Sequence, residues 1–253
     1  MLAVPETALP YFKHELPNGY WDTLAKQTVA DKKFAIVGIP TQDGNKGYGN
    51  SAIGIGGLQE MQYDKHHLVP FGEFTPDLLR WFTRMMSIDF GDFNRGAVDQ
   101  PAFTWKDHRM AVTICYEDLF GEELAVRFID PAKAPTLFVN LSNIAWFGDT
   151  TVVKQHLDIA RMRSLEFKRP TVRATNAGGT AIIDAQGQVT KQLTPFTRGQ
   201  LTGVVHSPYQ DITFFAHWAG RWGLKPMWLI CCGLMLFAVL RGRNHSENSE
   251  SVK

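Results

Sequence analysis

Between residues 30 and 206, short apolar runs of strand length alternate with segments whose apolar residues fall at helical spacing. That interleaving most narrows what the chain can fold into. Phe34 to Ile39 reads as a buried strand, and a turn-rich stretch follows from Thr41 to Ser51, with the next strand expected over Ala52 to Met61. Arg109 to Ile114 and Thr136 to Leu141 are further strands. Asp118 to Ile129 suits a helix with acids in its first turns. Over Val152 to Phe167, the residues Val153, Leu157, Ala160 and Leu165 mark an amphipathic helix that Pro170 closes. Val172 to Thr175 comes next, then a hairpin pairing Thr180 to Asp184 with Val189 to Leu193 across an Ala-Gln-Gly turn. With no internal repeat, this predicts one layered α/β domain, and 253 residues at 44% apolar content are enough to fill its core.

The ends read differently. Met1-Leu2-Ala3-Val4-Pro5-Glu6 has no basic segment leading into an apolar stretch, so a cleavable signal is not expected. Met227 to Leu240 reads MWLICCGLMLFAVL without a charge. At about 1.5 Å per residue it covers roughly 21 Å, short of a hydrocarbon core of about 30 Å. Phe214, Phe215, Trp218 and Trp222 precede the run and Trp228 lies within its first turn, the aromatic content of a headgroup zone. The expectation is a membrane-spanning or membrane-embedded helix, the alternative a buried amphipathic one. Arg221 and Lys225 balance Arg241 and Arg243, so charge does not decide orientation. The polar residues 241–253 are expected to be a disordered tail.

A net charge of +1, from 26 basic and 25 acidic residues, offers no footprint for a polyphosphate backbone, so nucleic acid is not an expected partner. Three cysteines, two of them adjacent at Cys231 and Cys232, make neither a disulfide framework nor a zinc spacing, which leaves Cys115 free for chemistry. Cys115 stands at the end of a buried strand, before a helix, where backbone N–H groups and the helix dipole stabilise a thiolate. The alternative is a small apolar core residue. Lys65 sits among aromatic, proline and glycine positions in YDKHHLVPFGEF and could donate to an oxyanion, or simply be solvated. Glu73 could fix its ammonium or cap a turn. His66 and His67 point apart on an extended segment and make a poor metal pair. Glu6 could take a thiol proton if desolvated, or be an ordinary glutamate near a terminus.

Taken together, PETALP around Glu6, YDKHHLVPFGEF around Lys65 and TICYEDLF around Cys115 follow the Glu-Lys-Cys order of the nitrilase superfamily. More specifically, with NLSNIAWFG, QHLDIARMRSL and RPTVRATNAG, the chain resembles the apolipoprotein N-acyltransferase family from about Val4 to about Leu240. The resemblance implies a nitrilase-like α-β-β-α sandwich over 1–210, an aromatic linker and transmembrane helix over 211–240, and Glu6 as general base, Lys65 as oxyanion stabiliser and Cys115 as nucleophile. Glu73 and Glu117 match additional glutamates around that triad, and Tyr116 and Trp146 match positions shaping the acyl and lipid entrance. It further implies a phospholipid acyl donor, a diacylglyceryl lipoprotein acceptor, no cofactor or metal, and a bacterial inner membrane with the catalytic domain periplasmic. Members of the family begin with a multi-helix membrane domain, and their glutamate ends the first strand. Here only Met1 to Val4 precede Pro5, so that bundle and most of that strand are expected to be missing, Glu6 weakly held, and the isolated chain poorly active. The same triad on a small amide, or an inactive lipid-binding fragment, are the competing readings.

Overall fold

The computed structural model describes residues 1–42, 47–76, 93–207 and 211–250, with 242–250 described by backbone only. Two sheets carry the fold. The first runs β1 (Leu2–Ala3), β2 (Ala35–Gln42), β3 (Tyr48–Ile55) and β4 (Met61–Asp64) in that spatial order. β1 lies parallel to β2, with Leu2 opposite Ala35, and the remaining pairs are antiparallel. The second holds β5 (Phe103–Trp105), β6 (His108–Ile114), β7 (Leu137–Ser142), β8 (Thr171–Thr175), β9 (Ala181–Ile183) and β10 (Val189–Gln192), ordered β10-β9-β8-β7-β6-β5. Its centre, β6-β7-β8, is parallel. Parallel strands are covered on both faces, which is why β6 and β7 read as continuous apolar runs.

Side-chain alternation sorts these runs into layers. Ile36, Ala52 and Tyr63 from the first sheet meet Met110, Val112, Ile114, Val139 and Leu141 from the second, forming the core between the sheets. The other face of the first sheet, Val37, Ile39, Ile53 and Ile55, packs on Trp21 and Leu24 of α1 (Tyr20–Ala30). Behind the second sheet, Ala111 and Phe138 meet Leu124 and Ala125 of α2 (Gly121–Val126), Phe167 of α3 (Thr151–Phe167), and Ala216 and Ala219 of α4 (Phe214–Trp222). The order of layers is α-β-β-α. Each buried Val, Leu, Ile or Phe contributes about 1.5–3 kcal/mol by leaving water.

Several boundaries differ from the sequence reading. β2 and β3 extend into the turn-rich stretch, of which residues 43–46 lie outside the described residues. Gly56, at φ +97°, ends β3, so the strand expected over Ala52 to Met61 divides into β3 and β4. The helix expected from Asp118 to Ile129 shrinks to α2, behind a 3-10 turn over Cys115–Leu119. That turn brings the Glu117 carboxylate back onto the Ile114 N–H at 2.7 Å.

The apolar run lies in α5 (Lys225–Glu250), and its side chains are exposed, with Leu229 at 73% and Phe237 at 61%. The buried amphipathic helix is therefore not what forms. Among the described residues no single helix is long and apolar enough to cross a bilayer, although Phe214–Trp222 and Lys225–Arg241, bent by 74°, meet that test as a pair. α5 continues to Glu250, so the tail expected to be disordered from 241 is helical as far as that residue, and 251–253 lie outside the described residues.

Candidate active site

Glu6 follows β1, Lys65 follows β4 and Cys115 follows β6, so three strand ends from two facing sheets converge. All three side chains are buried. Lys65 Nζ lies 2.9 Å from Glu73 Oε1 and 3.3 Å from Glu6 Oε1. Burial opposes the charge on Lys65, but Glu6, Cys115 and Glu73 outweigh it and its pKa is raised, so the side chain is an ammonium at every physiological pH. One ammonium thus serves two carboxylates.

Glu6 is not weakly held, and the reason is not the length of β1. Asn50, in β3, donates from Nδ2 to Glu6 Oε1 at 2.7 Å and to Glu73 Oε1 at 2.7 Å. The Asn143 N–H, just past β7, donates to Glu6 Oε2 at 2.7 Å. The Val69 N–H donates to Glu73 Oε2 at 2.8 Å. The backbone of Pro5, Glu6 and Thr7 also packs directly over Gly38, where a Cβ would collide with it. Gly38→Ala is expected to displace Glu6, costing about 1–3 kcal/mol in thermal unfolding and about 100-fold in acylation of Cys115. Wild-type acylation by this variant would show that Glu6 tolerates the shift.

Cys115 adopts φ +58°, the left-handed region that a non-glycine residue enters at a cost of about 1–2 kcal/mol. Its thiol is pushed up to about 12, first by burial and then by Glu6, against the opposing pull of Lys65 and the Tyr116 backbone N–H. The sequence suggested the reverse, a thiolate stabilised by a following helix. The segment after Cys115 is instead a 3-10 turn, and burial of the thiol, with Glu6 beside it, outweighs it. A thiol in this setting stays protonated at neutral pH, so any reaction at its sulfur would call for a base.

Glu117 does not touch the lysine. It binds the backbone around the site together, accepting from Ile114 N at 2.7 Å, His66 N at 2.6 Å, His67 N at 3.1 Å and Tyr63 OH at 2.9 Å. Burial raises its pKa against those donors. Tyr116 donates to the Leu68 carbonyl at 2.7 Å and lays its ring 5.6 Å from Lys65 Nζ. His66 and His67 face different partners, the Gly96 carbonyl and Glu123. Trp146, three residues beyond Asn143, stands 85% exposed. Sequence reasoning missed Asn50 and Asn143. Asn50 was absorbed into the turn-rich stretch, although its place at the head of the apolar run Ala52–Ile55 could have marked a polar side chain turned inward.

The sequence matches the carbon-nitrogen hydrolase family over residues 1–212. The chain belongs to the carbon-nitrogen hydrolases. Solved carbon-nitrogen hydrolases share the fold: a CN-hydrolase superfamily protein from Xanthomonas campestris superposes with a TM-score of 0.57 at 17% identity, covering 76% of this chain and 73% of that one. An amidase from Nesterenkonia sp. superposes with a TM-score of 0.53 at 17% identity, covering 70% and 63%. Much more similar in sequence is the apolipoprotein N-acyltransferase of Verminephrobacter eiseniae, 54% identical over 88% of this chain and 44% of that protein. The apolipoprotein N-acyltransferase of Bordetella bronchiseptica is 43% identical over 96% of this chain and 47% of its own length. This carbon-nitrogen hydrolase chain thus spans just under half the length of those two relatives.

Proposed function

We propose that this chain carries out the acyl-transfer chemistry of an apolipoprotein N-acyltransferase, with Cys115 as nucleophile, Glu6 as general base and Lys65 as oxyanion stabiliser. The observation that carries the reading is the buried Glu6–Lys65 pair coupled to Cys115, in a chain 54% identical to a protein of that name. Cys115 attacks the ester carbonyl of a phospholipid as Glu6 takes the thiol proton, and Lys65 donates to the oxyanion. Collapse expels the lysophospholipid alcohol, which leaves with the proton held by Glu6 and puts the acyl group on sulfur as a thioester. The α-amine of an S-diacylglyceryl cysteine then attacks; Glu6 accepts a proton from it and returns one to the departing Cys115 sulfur. Burial of the cluster keeps water from consuming the thioester. Glu73 keeps Lys65 in place, and Tyr116 and Trp146 border the route of the acyl chains.

On this reading residues 1–210 are the catalytic unit, and 211–240 attach it to the periplasmic face of a bacterial inner membrane. The exposed apolar side chains of α5 support that attachment, because a contiguous apolar surface of this kind seeks lipid or a partner. Reconstituted in phosphatidylethanolamine vesicles, the chain is expected to gain the intact mass of one acyl group, removed by hydroxylamine. Ammonia release from small amides without a lipid adduct would favour an amidase, and no adduct with either would overturn the catalytic reading.

A further inference from the structure

We infer that Asn140 is a positioning residue that holds Cys115 in its left-handed conformation through the cysteine's own carbonyl. The inference rests on the reading of Cys115 as nucleophile. A left-handed nucleophile is strained, and such strain persists only where the surroundings over-determine it. Asn140 Nδ2 donates to the Cys115 carbonyl at 2.9 Å, with Asn140 1% exposed. Its second donor bond reaches Thr113 Oγ1 at 3.0 Å.

The orientation of this amide is fixed from behind. Thr113, Asn140 and Arg173 stand in one row across β6, β7 and β8, as the strand register requires. Arg173 Nη1 donates to Asn140 Oδ1 at 2.8 Å and to Asp118 Oδ2 at 3.0 Å. A guanidinium only donates, so it compels the asparagine oxygen to face it and the amide N–H groups to face Cys115. Ser142 Oγ adds a second donor to the same oxygen at 2.6 Å. A flipped amide would set oxygen against the Cys115 carbonyl and nitrogen against the arginine. Asn140, buried, thereby makes all four of its hydrogen bonds, and through its oxygen the Arg173–Asp118 ion pair bears on the placement of Cys115.

Asn140→Asp keeps the side-chain shape and the bond from Arg173 but turns a donor into an acceptor at the Cys115 carbonyl. Asn140→Ala removes both contacts. Thr113→Val removes the amide's other acceptor and leaves the carbonyl bonded. Single-turnover acylation of the full chain by p-nitrophenyl butyrate, followed over ester concentration alongside thermal unfolding, separates these roles. In both Asn140 variants the maximal acylation rate is expected to fall about 10- to 100-fold, with the half-saturating ester concentration unchanged. Thr113→Val is expected to acylate like wild type even if its melting temperature drops as far as that of Asn140→Asp. Maximal rates in folded Asn140→Asp and Asn140→Ala within about twofold of wild type would overturn the inference. A wild-type chain with no p-nitrophenolate burst, or a burst that survives Cys115→Ala, would overturn the nucleophile itself and this inference with it.

Discussion

Cys115→Ala is expected to abolish the hydroxylamine-sensitive acyl adduct, a loss on the order of 10⁵-fold or more, while the protein stays folded. The thiol is buried and held up to about 12, so at neutral pH it is present as S–H, and in the proposed mechanism Glu6 activates it. Alanine offers no atom to acylate. It fills most of the same apolar volume, facing Ile114, Leu141 and Ala174 of the core between the sheets, so the stability cost stays small. The raised thiol pKa adds a second signature. An unfolded cysteine releases its proton near about 8.5, whereas the folded one keeps it to about 12, so across that window the folded state binds more protons. Stability contributed by this group is therefore full below about pH 8.5 and falls as pH rises toward 12, and Cys115→Ala should flatten that alkaline decline in urea titrations. Cys231 and Cys232 are exposed and remain as internal controls for labelling. An acyl adduct of wild-type size on the alanine variant would remove Cys115 from the reaction.

What the sequence made legible follows the physics of each element. Strands buried on both faces print as apolar runs, so β2, β6 and β7 were readable, and so was the amphipathic α3. The three residues of the proposed triad emerged only through their shared order and flanking motifs, because a lone glutamate, lysine or cysteine carries little local signal. What holds them was not legible. Asn50 reaches Glu6 across 44 positions and Asn143 reaches it across 137, and such contacts exist only once the two sheets face each other. The direction of the Cys115 shift was missed for a related reason. Local sequence displays a strand followed by a presumed helix, whereas the burial that chiefly raises the thiol, and the Glu6 carboxylate that adds to it, arise only when the two sheets pack together. A two-residue β1 suggested a loose base, yet the hydrogen bonds that fix Glu6 come from β3 and the end of β7.

Lys65→Met should strike both stability and chemistry. Methionine matches the length and bulk of the aliphatic stem but leaves Glu6 and Glu73 buried together without their cation. Removing one partner of a buried ion pair costs about 3–5 kcal/mol, because the charge left behind stays desolvated. The loss of the oxyanion donor should lower acylation by a further 10²–10³-fold, roughly the effect of deleting one such donor elsewhere. The two consequences separate in a double variant. Adding Glu73→Gln to Lys65→Met removes one stranded carboxylate, and because the pair is in direct contact the stability changes should be non-additive by about 0.5–3 kcal/mol. The double variant should recover part of the lost stability and none of the acylation, since a neutral glutamine, whose one oxygen can accept from Asn50 or from the Val69 N–H but not from both, supplies no cation for the oxyanion. Thermal unfolding and burst acylation of the two single variants and the double variant decide it. If Lys65→Met melts with the wild type and acylates at a comparable rate, Lys65 neither neutralises the cluster nor stabilises the oxyanion.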